Sequence, residues 1–407
     1  MAMPPSSLTV IPPSMLAVLA SRGLQSAWNS GLLPCPSLAP EILIKSAKDA
    51  EGHGDFGPGN WREALEVLTF SLENEANLNP LGRALAYGLL VKSLRERLRA
   101  TELRRRHPEI DNIPLTAPIV VLGSMRSGTT RLQRLFACDP RLSHTRTFEA
   151  MSPAWGQGSA WLRIIKTAFG LAILHGLNPR LAVIHPTAAM AAEEQFGFFN
   201  ASMISAQFDM QWHVPTYSRW LCSADRKDAY RQFAQLLRIV AWSRKTEVQG
   251  PWVLKAPEFM DGLDPLMETF PDARLVYLRR EATSVVSSGA SLVHQHRSVH
   301  SDQTDPLDSG RHCLETTARR NRATSEFFDR THTPRIETSY DALERDWRDE
   351  MRSIYGQLGM TLPVLVENRM SHYLARAQSH RGHNHAPAHF GLDADRIAQR
   401  LAHPASP

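Results

Sequence analysis

Residues 118–137 read Pro-Ile-Val-Val-Leu-Gly-Ser-Met-Arg-Ser-Gly-Thr-Thr-Arg-Leu-Gln-Arg-Leu-Phe-Ala. The run Ile119, Val120, Val121, Leu122 is short, apolar and mostly β-branched, which predicts a fully buried strand. A loop bounded by Gly123 and Gly128 follows. After it, Leu132, Leu135 and Phe136 recur at helical spacing. Strand, loop and helix together form a phosphate cradle. The first N–H groups of a helix have no partner within it, and the helix dipole favours an anion beside them. In the common nucleoside-triphosphate loop, G-x-x-x-x-G-K-[ST], lysine reaches the β- and γ-phosphates and the hydroxyl holds magnesium. Here the glycine spacing is kept, but Thr129 stands in place of that lysine and the basic residue, Arg126, lies inside the loop. Such a loop is expected to grip a 5′-phosphate through Ser127, Gly128, Thr129, Thr130 and the backbone, without the lysine clamp for a longer triphosphate.

Two further segments lie downstream. Residues 274–292, Arg-Leu-Val-Tyr-Leu-Arg-Arg-Glu-Ala-Thr-Ser-Val-Val-Ser-Ser-Gly-Ala-Ser-Leu, read as a strand ending in arginine and a helix carrying serines. Between them stands Trp252-Val-Leu-Lys-Ala-Pro-Glu-Phe259, followed by Phe270-Pro-Asp-Ala-Arg-Leu-Val276. Taken in order, the three segments resemble the sulfotransferases that use 3′-phosphoadenosine 5′-phosphosulfate, in their bacterial-type branch. Gly-x-x-Arg-Ser-Gly-Thr-Thr is similar to the loop that holds the 5′-phosphosulfate. Ala256 departs from the family's usual serine after the strand lysine. The resemblance implies that an arginine at the strand end and a serine eight residues later bind the 3′-phosphate. The matching positions are Arg279 and Ser287, with Ser284 and Ser288 as alternatives that helix phase decides. Physically, a strand-end guanidinium gives a phosphate a forked, permanently charged donor. Both phosphate elements would lie at the carboxyl edge of a parallel sheet, where open α/β folds bind ligands.

The resemblance also implies chemistry: in-line displacement at sulfur, with an acceptor hydroxyl or amine attacking and the phosphate oxygen leaving. Arg126 is the expected cation at the bridging oxygen. Lys255 is expected to point toward the transferred group or the acceptor. Relatives acting on phenols and steroids carry their basic histidine two residues after a strand lysine, which here is Pro257. The base must therefore lie elsewhere. Glu149, in Arg146-Thr-Phe-Glu-Ala150, is the expected general base, because a carboxylate under a low-dielectric lid can have its pKa raised toward neutrality. Glu193, Glu194 and Glu258 are the rivals. Near the C-terminus, Arg381-Gly-His-Asn-His-Ala-Pro-Ala-His-Phe-Gly-Leu-Asp393 is similar to a family tail that covers the cofactor, with Arg381 and His383 as its contacts. His383, His385 and His389 are loosely spaced and lack cysteine or acidic partners, so no metal is expected.

Composition sets the frame. The 407 residues are 43% hydrophobic and 21% charged, with net charge +5, as in an ordinary globular protein. Cys35, Cys138, Cys222 and Cys313 show no metal or redox spacing, which suits a reduced cytoplasmic setting. The basic run Lys92, Arg95, Arg97, Arg99, Arg104, Arg105, Arg106 is interspersed with Glu96 and Glu102 and has no aromatic platform nearby. It reads as a solvated helix, not a nucleic-acid surface. Pro12 and Pro13 interrupt the apolar N-terminus, and no secretory signal is expected. There is no unbroken run of 18 apolar residues; Trp161–Ile184 comes closest, broken by Arg163, Lys166, His175 and Arg180. That argues against a transmembrane segment and leaves weak contact with a membrane surface open.

The predicted fold is α/β: a P-loop-type central parallel sheet flanked by helices, with a helical N-terminal extension and helical insertions. Strands are expected at 118–122, 252–255, 274–278 and 335–337. Residues 1–115 form an arm and helical extension, the first 60 an irregular arm with short helices, and residues 116–407 form the sulfotransferase-like domain. Insertions at 160–248 cover the cofactor site. Their apolar residues, including Trp161, Phe169, Phe196, Phe198, Phe199 and Trp212, suit a lipid or carbohydrate acceptor, and the same residues also suit a core. A P-loop kinase would need the missing lysine. A non-catalytic nucleic-acid-binding protein would show steep salt dependence. No sequence feature speaks to oligomeric state.

Overall fold

The computed structural model describes residues 14–184, 186–244, 250–377 and 387–402. Five parallel strands form its centre, in the order β2-β3-β1-β4-β5. They are β1 (Ile119–Leu122), β2 (Ser143–His144), β3 (Trp252–Leu254), β4 (Arg274–Arg279) and β5 (Arg335–Ser339). β1 is the middle strand, with Ile119 opposite Val253 on one side and Arg274 on the other. All four of its residues are buried. Ile119 and Val121 face one apolar cluster, with Leu132, Phe136, Val276 and Met351. Val120 and Leu122 face another, with Leu254, Phe199 and Phe233. A strand covered on both sides needs no polar face, which is why its sequence is uninterruptedly apolar. The four expected strands are all present. β2, only two residues long, is too short to show any periodicity.

The N-terminal part is more regular than expected. It forms α1 (Met15–Asn29), α2 (Pro40–Glu51), α3 (Trp61–Asn74) and α4 (Pro80–Arg106). The residues that suggest irregularity sit at helix ends. Ser14 caps α1 by accepting from the Ala17 N–H at 3.1 Å, Pro40 opens α2, and Gly52 closes α2 in a left-handed conformation. The expected stripe Trp61, Ala64, Leu65, Leu68, Leu72 is the buried side of α3.

The basic run is a helix, solvated at its end, where Arg105 and Arg106 are exposed, and packed into the body before it. It continues α4 to Arg106, and Leu90, Leu94 and Leu98 on that helix are fully buried. Arg95 and Arg99 pair with Glu51, Arg104 with Asp111, and Arg105 and Arg106 with Glu102. Arg97 is buried and donates to the Phe56 carbonyl at 2.7 Å. One apolar cluster joins Leu43, Leu65, Leu90 and Leu94 from this part to Trp252, Leu254 and Phe259 of the sheet region. Helices α2–α4 thus contribute a layer to a shared core.

After β1 come α5 (Thr129–Phe136), α6 (Thr147–Met151), α7 (Ala160–Leu177) and α8 (Pro179–Ile184). A long helix, Ala282–His300, follows β4 and packs against its successor, Pro306–Thr331. These elements enclose the carboxyl edge of the sheet.

Candidate active site

The loop between β1 and α5 has the shape its sequence implies. Gly123 and Gly128 adopt φ values of +153° and +102°. A Cβ on Gly123 would lie 2.7 Å from the Leu278 carbonyl oxygen, and one on Gly128 would lie 2.6 Å from the Tyr340 ring. Both positions therefore need glycine for conformation and for space. Arg126 also has positive φ, +72°, an uncommon conformation for a side chain of its size. The Ser127 N–H donates to the Ser124 carbonyl at 3.0 Å and closes the turn. The Ser127 hydroxyl is buried with no hydrogen-bond partner among the described residues. An orphaned hydroxyl beside unpaired helix N–H groups is a ready anion contact.

This loop opens onto a cavity of about 350 Å³. Arg126, Gly128, Thr129, Thr130, Lys255 and Arg280 line its inner end. Lys255 follows β3, and its ammonium makes a buried ion pair with Glu194 Oε1. Thr130 donates to the same oxygen at 3.3 Å. The backbone of Lys255 is fixed by Gln195, whose side-chain oxygen accepts its N–H at 2.8 Å. Arg126 donates from Nε to Ser288 Oγ at 3.0 Å and from Nη1 to the Ile184 carbonyl at 3.2 Å. Burial, helped by neighbouring Arg280, pulls its pKa below the usual guanidinium range. Arg280 donates to the Arg126 carbonyl at 2.9 Å and stacks over Tyr340 with 4.0 Å to the ring centre. The far wall is mainly apolar: Leu89, Met151, Leu171, Leu174, Leu181, Met210 and Leu292. Lys92 and Glu96 of α4 also line it. Burial lowers the pKa of Lys92 and raises that of Glu96.

A cradle for phosphate, a buried Lys–Glu pair and two arginines thus share one cavity at the end of a parallel sheet. A model of the Sulfotransferase family matches residues 118–363. The chain belongs to the sulfotransferase family. Among solved structures, it is similar to sulfotransferase STF1 of Mycobacterium tuberculosis H37Rv, at 26% identity and a TM-score of 0.76, over 89% of this chain and 98% of that one. It also shares its fold with sulfotransferase STF9 of Mycobacterium avium, at 21% identity and a TM-score of 0.78, over 90% of this chain and 95% of that one. No curated protein sequence gives a significant match.

Not every residue expected of a sulfotransferase reaches the cavity. Glu149 lies in α6, away from the lining. It accepts from the Arg146 N–H and guanidinium, both at 2.8 Å, and from both donor arms of Arg244. Burial pushes its pKa up, but the bonds and charges of Arg244 and Arg146 more than offset this and hold it at about 2. A carboxylate so committed is a poor proton acceptor at neutral pH. The structure does not bring it to the cavity; Glu149 instead accepts the N-cap N–H of Arg146 at the start of α6.

The expected phosphate pair, Arg279 and Ser287, does not line the cavity. Arg279 is exposed and pairs with Glu337 of β5 at 3.0 Å. Ser287 spends its hydroxyl on the Thr283 carbonyl at 2.6 Å. Arg280 and Ser288 instead meet the loop. The same eight-residue spacing fits both pairs, so spacing alone does not separate them. Glu258 is fully buried away from the cavity lining, where Ala206 N–H donates to it at 3.1 Å. Glu193 lines the cavity and accepts from Thr187 at 2.7 Å. Arg381, His383 and His385 lie outside the described residues, as does His185.

Proposed function

We propose that this sulfotransferase transfers a sulfuryl group from 3′-phosphoadenosine 5′-phosphosulfate to a hydroxyl, or an amine, on a largely apolar acceptor. The observation that carries the reading is the convergence of Arg126, Gly128, Thr129, Thr130, Glu194, Lys255 and Arg280 on one cavity, with the orphaned Ser127 hydroxyl in the same loop and Ser288 bonded to Arg126. The donor set fits a bisphosphorylated nucleotide. The orphaned Ser127 hydroxyl, Thr129, Thr130 and the α5 N–H groups would hold the 5′-phosphate. Arg280 and Ser288 would hold the 3′-phosphate, as forked cation and hydroxyl donor. When bound, the nucleotide supplies the sulfuryl group and a phosphate leaving group.

In this reading Glu194 is the general base. Both contacts to its carboxylate among the described residues fall on Oε1, so Oε2 is available for the acceptor's proton. As that proton arrives, Glu194 loses its charge and its hold on Lys255. The freed ammonium turns to the charge growing on the bridging oxygen, with Arg126 as the second cation. Apolar side chains at the far wall exclude water and favour an acceptor with a hydrophobic body.

The test is thermal unfolding with 3′-phosphoadenosine 5′-phosphate, ATP or AMP, with and without magnesium. Ligands that bind the native state raise the Tm, by an amount that grows with the logarithm of their concentration over Kd. The expected result is a magnesium-independent rise with the 3′-phosphorylated nucleotide and little with the others. An equal or larger rise with magnesium and ATP overturns the donor assignment.

A further inference from the structure

The described residues leave a large apolar surface uncovered, and it lies on the back of the cavity wall. α7 is two-sided. Its inner side sends Leu171 and Leu174 to the cavity, while Arg163, Thr167 and Leu177 are buried in the body. Its outer side carries Trp161, Leu162, Ile165, Phe169 and Ile173, all exposed, with Trp161 and Phe169 at 67% each. Positions 161, 162, 165, 169 and 173 make a stripe of the kind that helices normally turn to the core. α1 extends it with exposed Met15, Leu16 and Leu19. Leu16 packs against α7 at Gly176, where an added Cβ would come within 3.1 Å of it, so the two apolar faces adjoin.

Charge selects what covers this face. α1, α7 and α8 contain no Asp or Glu; their charged residues are Arg22, Arg163, Lys166 and Arg180. Arg22, Lys166 and Arg180 are exposed. Apolar side chains flanked by cations without counter-carboxylates match an anionic lipid bilayer. The rings and branched chains sink below the headgroups, and lysine and arginine reach the phosphates. A second copy of the same face would oppose cation to cation. α7 is long and apolar enough to cross a membrane. However, Arg163 donates to the Ser152 carbonyl at 2.9 Å, and the inner side of the helix is part of the protein body. The helix therefore lies along a bilayer instead of crossing it.

We propose that the α1–α7 face docks this enzyme on the surface of an anionic bilayer. Docking stands on this face alone. Its consequence, that an amphiphilic acceptor enters the cavity behind α7 from the bilayer, rests on the acceptor reading above.

The experiment is flotation of the full chain with vesicles of equimolar phosphatidylcholine and phosphatidylglycerol, and with phosphatidylcholine alone. The expected result is flotation with the mixed vesicles, weakened by salt. Ile165→Ser with Phe169→Ser should lower partitioning by about tenfold or more. Lys166→Glu with Arg180→Glu should abolish the preference for phosphatidylglycerol. Binding of 3′-phosphoadenosine 5′-phosphate, read by thermal shift on the same samples, reports the donor site separately. Failure of the full chain to float with mixed vesicles overturns the proposal, as does undiminished flotation of both variants. A vesicle-free dimer that Ile165→Ser with Phe169→Ser converts to monomer also overturns it, by placing a second copy on the face.

Discussion

Glu149 and Glu194 are both buried carboxylates met by cations, and what those cations leave free separates their chemistry. Arg146 and Arg244 occupy both oxygens of Glu149. Lys255 and Thr130 crowd onto one oxygen of Glu194 at the cavity end. Glu194→Gln should lower kcat by about 10²–10⁴-fold, the range for losing a general base, with nucleotide binding retained. Glu149→Gln should leave the kcat of the folded enzyme within about threefold, because it lies outside the reacting geometry. Steady-state rates normalised to folded protein decide between them; the reverse pattern returns Glu149 to the mechanism. The two arginines after Tyr277 give a second contrast. Arg280→Ala should weaken 3′-phosphoadenosine 5′-phosphate binding by about 10–100-fold, the scale of a charge-assisted contact, whereas Arg279→Ala should change it little. Calorimetric titration of both variants measures the difference, and equal losses would reject the assignment. The sequence motif selects Arg279 and gives Arg280 no weight. Adjacent residues at a strand end point to opposite sides, so a shift of one residue exchanges a surface ion pair for a place in the cavity lining.

The same residues take on a second meaning in the elements that hold them. Arg146-Thr-Phe-Glu149 resembles a catalytic motif, and its glutamate also stands at N3 of α6, where it accepts the N-cap N–H and the Arg146 guanidinium. Its pH dependence follows. Glu149 has a folded pKa of about 2, depressed from 4.5. The unfolded chain therefore takes up the proton first as pH falls. Its stabilising contribution is complete above about pH 4.5 and drains away toward pH 2. Breaking this buried pairing by Glu149→Gln should cost about 3–5 kcal/mol near neutrality. Urea midpoints for wild type and variant should accordingly converge between about pH 4.5 and pH 2. A gap that stays constant across that window would show that the ion pairs contribute nothing. Elements with a strong local signal were legible: β1, β3, β4 and β5 are apolar or strand-like runs, and α3 shows its stripe plainly. β2 and the burial of α4 were not, because a two-residue edge has no period and Arg95, Arg97 and Arg99 of α4 meet Glu51 and Phe56, distant in sequence.

At the scale of the whole molecule, the division at residue 115 meets a core that does not respect it. Sequence shows where one pattern ends and another begins, but the sharing of a core depends on packing across long separations, for which a single chain carries no local signal. Leu43, Leu65, Leu68, Leu72, Leu90, Leu94 and Leu98 of α2–α4 belong to the cluster that covers Leu254 and Phe259. Each buried leucine is worth about 1.5–3 kcal/mol, and a typical domain has only about 5–15 kcal/mol of net stability. Removing seven of them exceeds any reasonable reserve. α4 also supplies Leu89, Lys92, Ser93 and Glu96 to the cavity wall, so its loss opens the site as well as the core. A chain beginning at residue 116 should therefore lack a cooperative thermal transition and bind no nucleotide, although it retains β1, the phosphate loop and all the residues proposed for catalysis. Circular dichroism melting and nucleotide titration of that fragment check this. A sharp transition with nucleotide affinity intact would mean that the sheet region folds on its own, and that the N-terminal helices serve only the acceptor and the surface on which it arrives.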